Sequence, residues 1–524
     1  MDHNWPGDAF VNSRRRVNSA VDRSSYAAKR GDIIKAHMPK GFQLSIAPLF
    51  MLVLIAGPSL AQRQRTDYRD LQNVVLRELR ETNTPGAAIA IVRGGRVIYT
   101  KGFGISNVET RCPVTPDMLF RVGSITKMLT ATVLVSLSEE GKIALDAPVG
   151  DFVEGFDTRL SQVTARQLLS HSAGIIDFAH ACCAQDESAL RAEIRSAKDA
   201  DYFFTEPGKI FSYSNPSYHI AGYMIQELTR KPYADAMDER LFRPLGMTHT
   251  TFRPMVAMTF PLSQGHDAAG TAKPTIVRPF VNNVGDWPSG YVYTNVSDLA
   301  RFAIAFMNGG HIEGKQVLSP SVIATLSTAY VDVPFSWDVP PGFFERASYG
   351  HGFFIQEHRG VHLLHHGGTI NGFGAFVVIV PEHRFALIVF TNRTGAILSK
   401  SLEKALELSL PLKPKLQEPR KQVVPMTLAE MENYTGTYVN GALKIELLVR
   451  DGKLFRRELY PTTVEGGPGR DFETTVTKVG TNRFAFTPPG ETGPAEFVLV
   501  PGPSGRPEYL HSFMEAARRI EVRQ

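Results

Sequence analysis

Gly123-Ser124-Ile125-Thr126-Lys127 opens the run GSITKMLTATVLVSL, residues 123–137, in which a glycine gives way to an almost wholly apolar segment. Met128, Leu129, Ala131, Val133, Leu134, Val135 and Leu137 leave it no polar face, and a helix that is apolar all round is a buried helix. Ser124 and Lys127, three residues apart, share one side of it. Burial disfavours the ammonium form of a lysine, which lowers its pKa and lets it accept a serine proton. The Ser124 amide, near the helix N-terminus, is placed to stabilise an oxyanion. The plain alternative is that Ser124 is a helix N-cap. The same spacing recurs at Ser401-Leu402-Glu403-Lys404, where a solvated helix face is the expected explanation.

Two further segments carry chemistry. Tyr213-Ser214-Asn215 follows a Glu206-Pro207-Gly208 turn. A tyrosine beside a lysine can relay a leaving-group proton, and an asparagine amide can hold a substrate carbonyl. Asn215 before Pro216 also has the form of an N-cap followed by proline at the first helical position. Tyr293-Thr294-Asn295 and Tyr438-Val439-Asn440 share the spacing and are read as decoys. His365-His366-Gly367-Gly368 precedes a strand, where glycines let a substrate backbone come close. Adjacent histidines do not have metal-ligand spacing. Leu168 to Gly174 reads as a helix ending in a glycine loop, with His171 structural.

Taken in order, Ser-x-x-Lys, then Tyr-x-Asn, then a basic residue-x-Gly before a strand resembles the serine β-lactamases and penicillin-binding proteins. Phe120 to Lys127, Leu168 to Gly174, Glu206 to Gly222, Leu245-Gly246-Met247, Gly290 to Phe302 and His366 to Phe373 are similar to the β-lactamase-related hydrolases, over roughly residues 68–410. The resemblance implies an acyl-enzyme on Ser124, with Lys127 and Tyr213 sharing the proton work and the general base left open between them. It implies that Asn215, His366, Gly368 and Thr369 meet the substrate, and that the amides of Ser124 and Thr369 hold the oxyanion. One position departs from the pattern. Class C β-lactamases generally open the third motif with lysine, and this chain has His366, mostly neutral at pH 7 if unperturbed. A permanent anchor for a substrate carboxylate is thereby weakened. The expected activity is hydrolysis of a small ester or peptide, of esterase or D-aminopeptidase type. A β-lactamase or D-Ala-D-Ala carboxypeptidase is the alternative on the same fold, and a non-catalytic binding or sensory protein is the alternative of another class.

The flanks set the architecture. Ala87 to Val92, a glycine turn, and Arg96 to Thr100 read as a hairpin; Ala375 to Val380 and Phe385 to Thr391 repeat it near the other end. Helical sequence lies between, and Leu71, Val74, Val75 and Leu79 mark an amphipathic helix before the first hairpin. One antiparallel sheet closed by distant segments, with flanking helices and a helical subdomain, is the expected α+β fold of residues 66–412. Residues 413–425 are charged and proline-rich, a linker. Residues 426–524 alternate in strand fashion and are expected to form a small β-barrel-like accessory domain, like those attached to esterase- or peptidase-like relatives.

Composition bounds the rest. With 43% hydrophobic and 21% charged residues over 524 positions, the chain is ordinary globular protein, long enough for two or more domains. A net charge of +5 is small for this length and argues against a dedicated nucleic-acid binder, which would concentrate Lys and Arg on one face. Met38-Pro39-Lys40, an apolar stretch from Ile46 to Ala56, and Ser59-Leu60-Ala61 read as a signal peptide over 38–61, cleaved after Ala61. The apolar stretch falls short of the roughly 18–20 residues that span a bilayer, so no stable anchor is expected after cleavage. Residues 1–37 are read as an extension ahead of a start at Met38, and the protein as exported, periplasmic or secreted. Cys112 and the adjacent Cys182 and Cys183 make neither a disulfide framework nor a zinc site, and no metal or cofactor is assigned.

Overall fold

The computed structural model describes residues 67–520 except 178–182, 268–272, 335–346, 416–421, 463–467, 491–492 and 513. The extension 1–37, the signal peptide 38–61 and Cys182 lie outside the described residues. Cys112 is a free, exposed thiol and Cys183 is disulfide-bonded.

The two hairpins read from sequence are the centre of the fold. They form β1 (Gly86–Arg93) with β2 (Arg96–Gly104), and, after β3 (Val331–Val333), β4 (Ala347–Tyr349), β5 (Phe354–His358) and β6 (Val361–Ile370), the pair β7 (Phe373–Val380) and β8 (Phe385–Thr391). The sheet runs β2-β1-β8-β7-β6-β5-β4-β3 with antiparallel neighbours throughout. Its closure is long-range: Ala87 faces Thr391 and Val92 faces Ala386.

Strand alternation explains why both faces are covered. Ala88, Ala90 and Val92, with Val377, Ile379 and Ile388, point to the larger core. That core is filled by α2 (Ile125–Glu139), α3 (Asn215–Thr229) and α5 (Val296–Met307), with the short α4 (Trp287–Gly290) beside them. Ile89 and Ile91, with Phe376, Val378, Leu387 and Val389, point to the opposite core, closed by α1 (Arg69–Glu81) and α6 (Ser399–Ser409). The amphipathic positions Leu71, Val75 and Leu79 of α1 are the residues buried there.

The recurrence Ser401-x-x-Lys404 is not a solvated face. Ser401 is buried, its hydroxyl donates to Glu78 Oε2 at 2.6 Å, and the Lys400 and Ser401 amides donate to the same carboxylate at 2.8 Å. Glu78 of α1 thus caps the positive end of α6, which joins the two helices across the sheet edge. Asn295 is likewise a cap, accepting from Asp298 N at 2.8 Å at the start of α5.

Beyond the first sheet, nine strands form a second, nearly closed, barrel-like sheet. They are β9 (Gly436–Asn440), β10 (Leu443–Arg450), β11 (Lys453–Thr462), β12 (Pro468–Thr475), β13 (Thr477–Gly480), β14 (Arg483–Phe486), β15 (Ala495–Pro501), β16 (Pro507–Ser512) and β17 (Glu515–Ile520). Tyr438, Ile445, Leu447, Phe484, Phe497 and Leu510 fill it. The β16–β17 hairpin packs on the catalytic part, where Tyr509 and Ala516 bury Ile210. No helix among the described residues is long and apolar enough to cross a membrane.

Candidate active site

Gly123 has φ +53°, a conformation glycine adopts without cost, and it turns the chain from the strand pair Phe120–Arg121/Tyr293–Thr294 into α2. A Cβ here would fall 2.7 Å from the backbone of Thr369, and one on Gly368 would fall 2.0 Å from the Val122 carbonyl. The absence of both side chains lets β6 lie directly against the head of α2. This brings Thr369 of the third motif beside Ser124.

Ser124 occupies the N-cap position, but its hydroxyl makes no capping bond. It accepts instead from Lys127 Nζ at 3.0 Å. Lys127 has 0% exposure; its ammonium also donates to Asn215 Oδ1 at 2.6 Å and to the Ser289 carbonyl at 2.8 Å. The Tyr213 ring centroid lies 4.7 Å from the same nitrogen. Four of the expected residues, from two segments, therefore meet here, Ser124, Asn215 and Tyr213 around the buried Lys127 cation. Asn215 is not the helix cap. Ser214 is, accepting from Ser217 N at 3.3 Å, which leaves the Asn215 amide for Lys127.

Tyr213 is held from two sides. His171, itself at φ +56°, stacks on it with centroids 4.2 Å apart and accepts the Ser214 N–H on Nδ1 at 3.1 Å. From the other side the Tyr213 N–H donates to the carbonyl of Met514, between β16 and β17, at 2.8 Å. The Ala516 N–H donates to Ser212 Oγ at 3.2 Å and Tyr509 meets Thr205 through their hydroxyls at 2.8 Å. The accessory sheet thus grips the segment that carries Tyr213.

His366 is at 0% exposure. Nδ1 lies 2.5 Å from the Gly367 carbonyl and so carries the proton, leaving Nε2 to accept from the Tyr349 hydroxyl at 3.0 Å. Burial pushes its pKa down to about 3, assisted by the Lys127 charge, so the ring is neutral. The expected weakening of a carboxylate anchor at this position is complete for the residue as it sits here.

Sequence reasoning missed several neighbours. Asp177 accepts from the Asn215 backbone N–H at 2.8 Å and from its Nδ2 at 3.2 Å. Burial pushes its carboxyl up to about 6 against the pull of Asn215 and Lys127. Ser289 lies just ahead of the glycine segment that was recognised, but a backbone acceptor leaves no mark on residue type. Glu193, His219 and Asp286 bring one ligand atom each within 4.8 Å of one another, a set able to hold a metal ion and spread over 94 residues of sequence (286 − 193 = 93 intervals).

The site region is rich in buried histidines, and this fixes a pH dependence. Desolvation holds His365, His366 and His511 near 3, His351 near 4, and His171 well below 6.5. Each depressed pKa gives stability that is present above the unfolded value and lost as pH falls, because only the unfolded chain then binds the proton. For the four rings held near 3 to 4 the loss reaches about 2 kcal/mol each at pH 5. Asp177, raised to about 6, has the opposite sign, since its contribution is lost as pH rises toward 6, but it is one group against five. The urea midpoint should therefore fall markedly between pH 7 and pH 5, and a flat profile over that range would contradict neutral buried rings.

An antiparallel sheet flanked by helices, with a serine and a lysine one turn apart at the head of a buried helix, defines the penicillin-binding class of serine hydrolases. The chain belongs to the β-lactamase family, whose profile matches residues 71–409. Among its relatives is Protein flp of Staphylococcus aureus, 26% identical over 340 residues, which are 64% of this chain and 65% of that protein. The chain thus spans just under two thirds of the length of this curated relative. The fold of SurE, also solved with D-Leu, superposes with TM-score 0.68 at 22% identity over 86% of this chain and 98% of its own. D-amino acid amidase from Ochrobactrum anthropi superposes with TM-score 0.53 at 23% identity over 65% of this chain and 97% of its own.

Proposed function

We propose that this protein hydrolyses a small ester or peptide through an acyl-enzyme on Ser124, with a D-amino-acid residue at the scissile bond as the favoured substrate. The observation that carries the reading is the buried Lys127 ammonium, bonded at once to Ser124 Oγ, Asn215 and the Ser289 carbonyl. In the reactive state the Lys127–Tyr213 pair stands one proton short; Ser124 Oγ bonds to the acyl carbon and its proton passes to that pair. The same pair returns a proton to the departing alcohol or amine. Water then attacks the ester and gives its proton to the pair, which passes it on to the departing Ser124 Oγ as the acid is freed. The Ser124 and Thr369 amides hold the oxyanion, Gly368 lets the substrate backbone approach, and Asn215 orients the acyl group.

His366 takes part from behind, by fixing Tyr349, and supplies no positive charge to a substrate carboxylate. That favours ester or aminopeptidase chemistry over carboxylate-bearing β-lactams and D-Ala-D-Ala termini. The D-amino-acid preference draws support from SurE with D-Leu and from the D-amino acid amidase. Export after cleavage at Ala61 is part of the proposal and rests on the pattern of residues 38–61.

Intact mass after exposure to a fluorophosphonate, and separately to a penicillin, tests it. A single fluorophosphonate adduct, absent from Ser124→Ala, is expected, with slow or no penicillin adduct. A stable or turning-over penicillin adduct would move the assignment to the β-lactamase or carboxypeptidase alternative. No adduct with either reagent would move it to a binding protein. The mass of the untreated protein from its native host also gives its first residue, expected to be Gln62.

A further inference from the structure

Asn215, His219 and Gly222 stand at i, i+4 and i+7 on α3 and so share one face. All three meet the same structure. Asn215 accepts from Lys127, and a Cβ on Gly222 would fall 2.1 Å from Pro288 Cγ, so α3 and α4 touch there. His219 Nε2 lies 2.8 Å from Ser289 Oγ. From the other side of α4, Thr130 of α2 donates to the Pro288 carbonyl at 2.7 Å.

Proton counting orders the His219 contact. The Ser289 hydroxyl has one proton; spent on the Asp286 carbonyl at 3.1 Å, it leaves Oγ to accept Nε2–H from the ring. That nitrogen is also 3.4 Å from Asp286 Oδ1, and the Glu193 carboxylate completes the cluster. The His219 side chain is only 2% exposed. A buried imidazole with two half-buried carboxylates beside it is costly to keep there, whereas a leucine would fill a helix–helix contact without that cost. Ser289 is also the residue whose carbonyl takes the third Lys127 bond.

We propose that His219 is a positioning residue for Lys127: by fixing the Ser289 hydroxyl it holds the Ser289 peptide so that its carbonyl stays aimed at the ammonium. This rests on the reading of Lys127 as the proton-transfer partner of Ser124. Its route to Lys127 runs through one peptide unit, that of Ser289. A displacement of about 1 Å at a reacting group costs up to about 100-fold in rate, which is the scale available to such a residue.

The test uses the full chain and fluorophosphonate labelling over a concentration series. His219→Phe keeps ring shape without the N–H, and His219→Gln replaces Nε2–H with an amide N–H at similar reach. His219→Phe should lower the limiting labelling rate roughly 10- to 100-fold with the half-saturating concentration unchanged, and His219→Gln should restore it to within about threefold of the parent. Equal rates for His219→Phe and the parent would overturn the proposal. So would equal impairment of the two variants, which would mean a merely structural ring. Slowing of the parent by EDTA with recovery on adding Zn2+ would overturn it too, by giving the cluster to a metal. Should His219→Phe fail to fold, Ser289→Ala keeps the carbonyl and removes the hydroxyl; a slowed limiting rate is expected, and an unchanged one would refute the link. A parent protein that does not label at all refutes the proposed function itself, a distinguishable outcome.

Discussion

Lys127→Met should lower the acylation rate about 10²- to 10⁴-fold while leaving the protein folded, because general acid–base groups are worth that much and methionine fills the same space. The stability side can be argued from what the substitution leaves behind. Asn215 Oδ1 and the Ser289 carbonyl lose a donor, at about 1–3 kcal/mol each. Against that, a wholly buried ammonium is no longer desolvated, which relieves several kcal/mol. The Lys127 charge also pulls the Asp177 carboxyl down, so that group, already near 6, rises further when the charge is removed. The two effects are comparable, so the melting temperature is expected to stay within a few degrees while labelling nearly ceases. Thermal unfolding and labelling on the same sample decide it. A large drop in melting temperature would make Lys127 a structural ion, and unchanged labelling would remove it from the mechanism.

The second large effect concerns the accessory sheet. Ala516 is fully buried in the contact between β17 and Ile210, its N–H on Ser212 and its carbonyl accepting from Asn440 at 2.8 Å. Ala516→Glu puts a carboxylate into this buried contact, a penalty of several kcal/mol that is relieved when the β16–β17 hairpin lifts. Lifting frees Ser212 and breaks the Tyr213 N–H···Met514 carbonyl bond, 300 residues apart in sequence. Labelling should slow by about tenfold or more. Amide hydrogen exchange at Tyr213 should quicken while the main sheet stays protected. Unchanged exchange with unchanged labelling would mean that the accessory sheet is a passenger.

What could be read from sequence follows from locality. Ser124 and Lys127 lie three residues apart on one helix, so their meeting is dictated by helical geometry and a strongly apolar context. The two hairpins were legible from alternation, the first also from its turn glycines, and their place at either end of mostly helical sequence pointed to one sheet closed by distant segments. Asn215 was ambiguous because Ser214 and Asn215 are both good caps, and only the three-dimensional place of Lys127 decides which of them does so. Ser401 was misjudged in its surroundings because nothing in its neighbourhood announces Glu78, more than three hundred residues earlier. Asp177, Ser289 and His219 converge from separate loops and helices, and Met514 contributes a backbone carbonyl, which any residue would offer. Such contacts belong to the tertiary arrangement and leave no local signature.

The pairing of β1 with β8 also governs how the chain comes to be made. The Gly86 N–H donates to Asn392 Oδ1, 306 residues further on, and β1 pairs with its neighbour β8 over the same span. At about 5–20 residues per second, synthesis takes roughly 15–60 s to bring that partner out. Throughout that time the β1–β2 hairpin presents an apolar strand, Gly86 to Val92, with one edge unpaired, the kind of edge on which nascent chains associate. The protein is therefore expected to be a slow folder and a steady client of holding chaperones, with its final sheet closed only once the β8 segment has emerged.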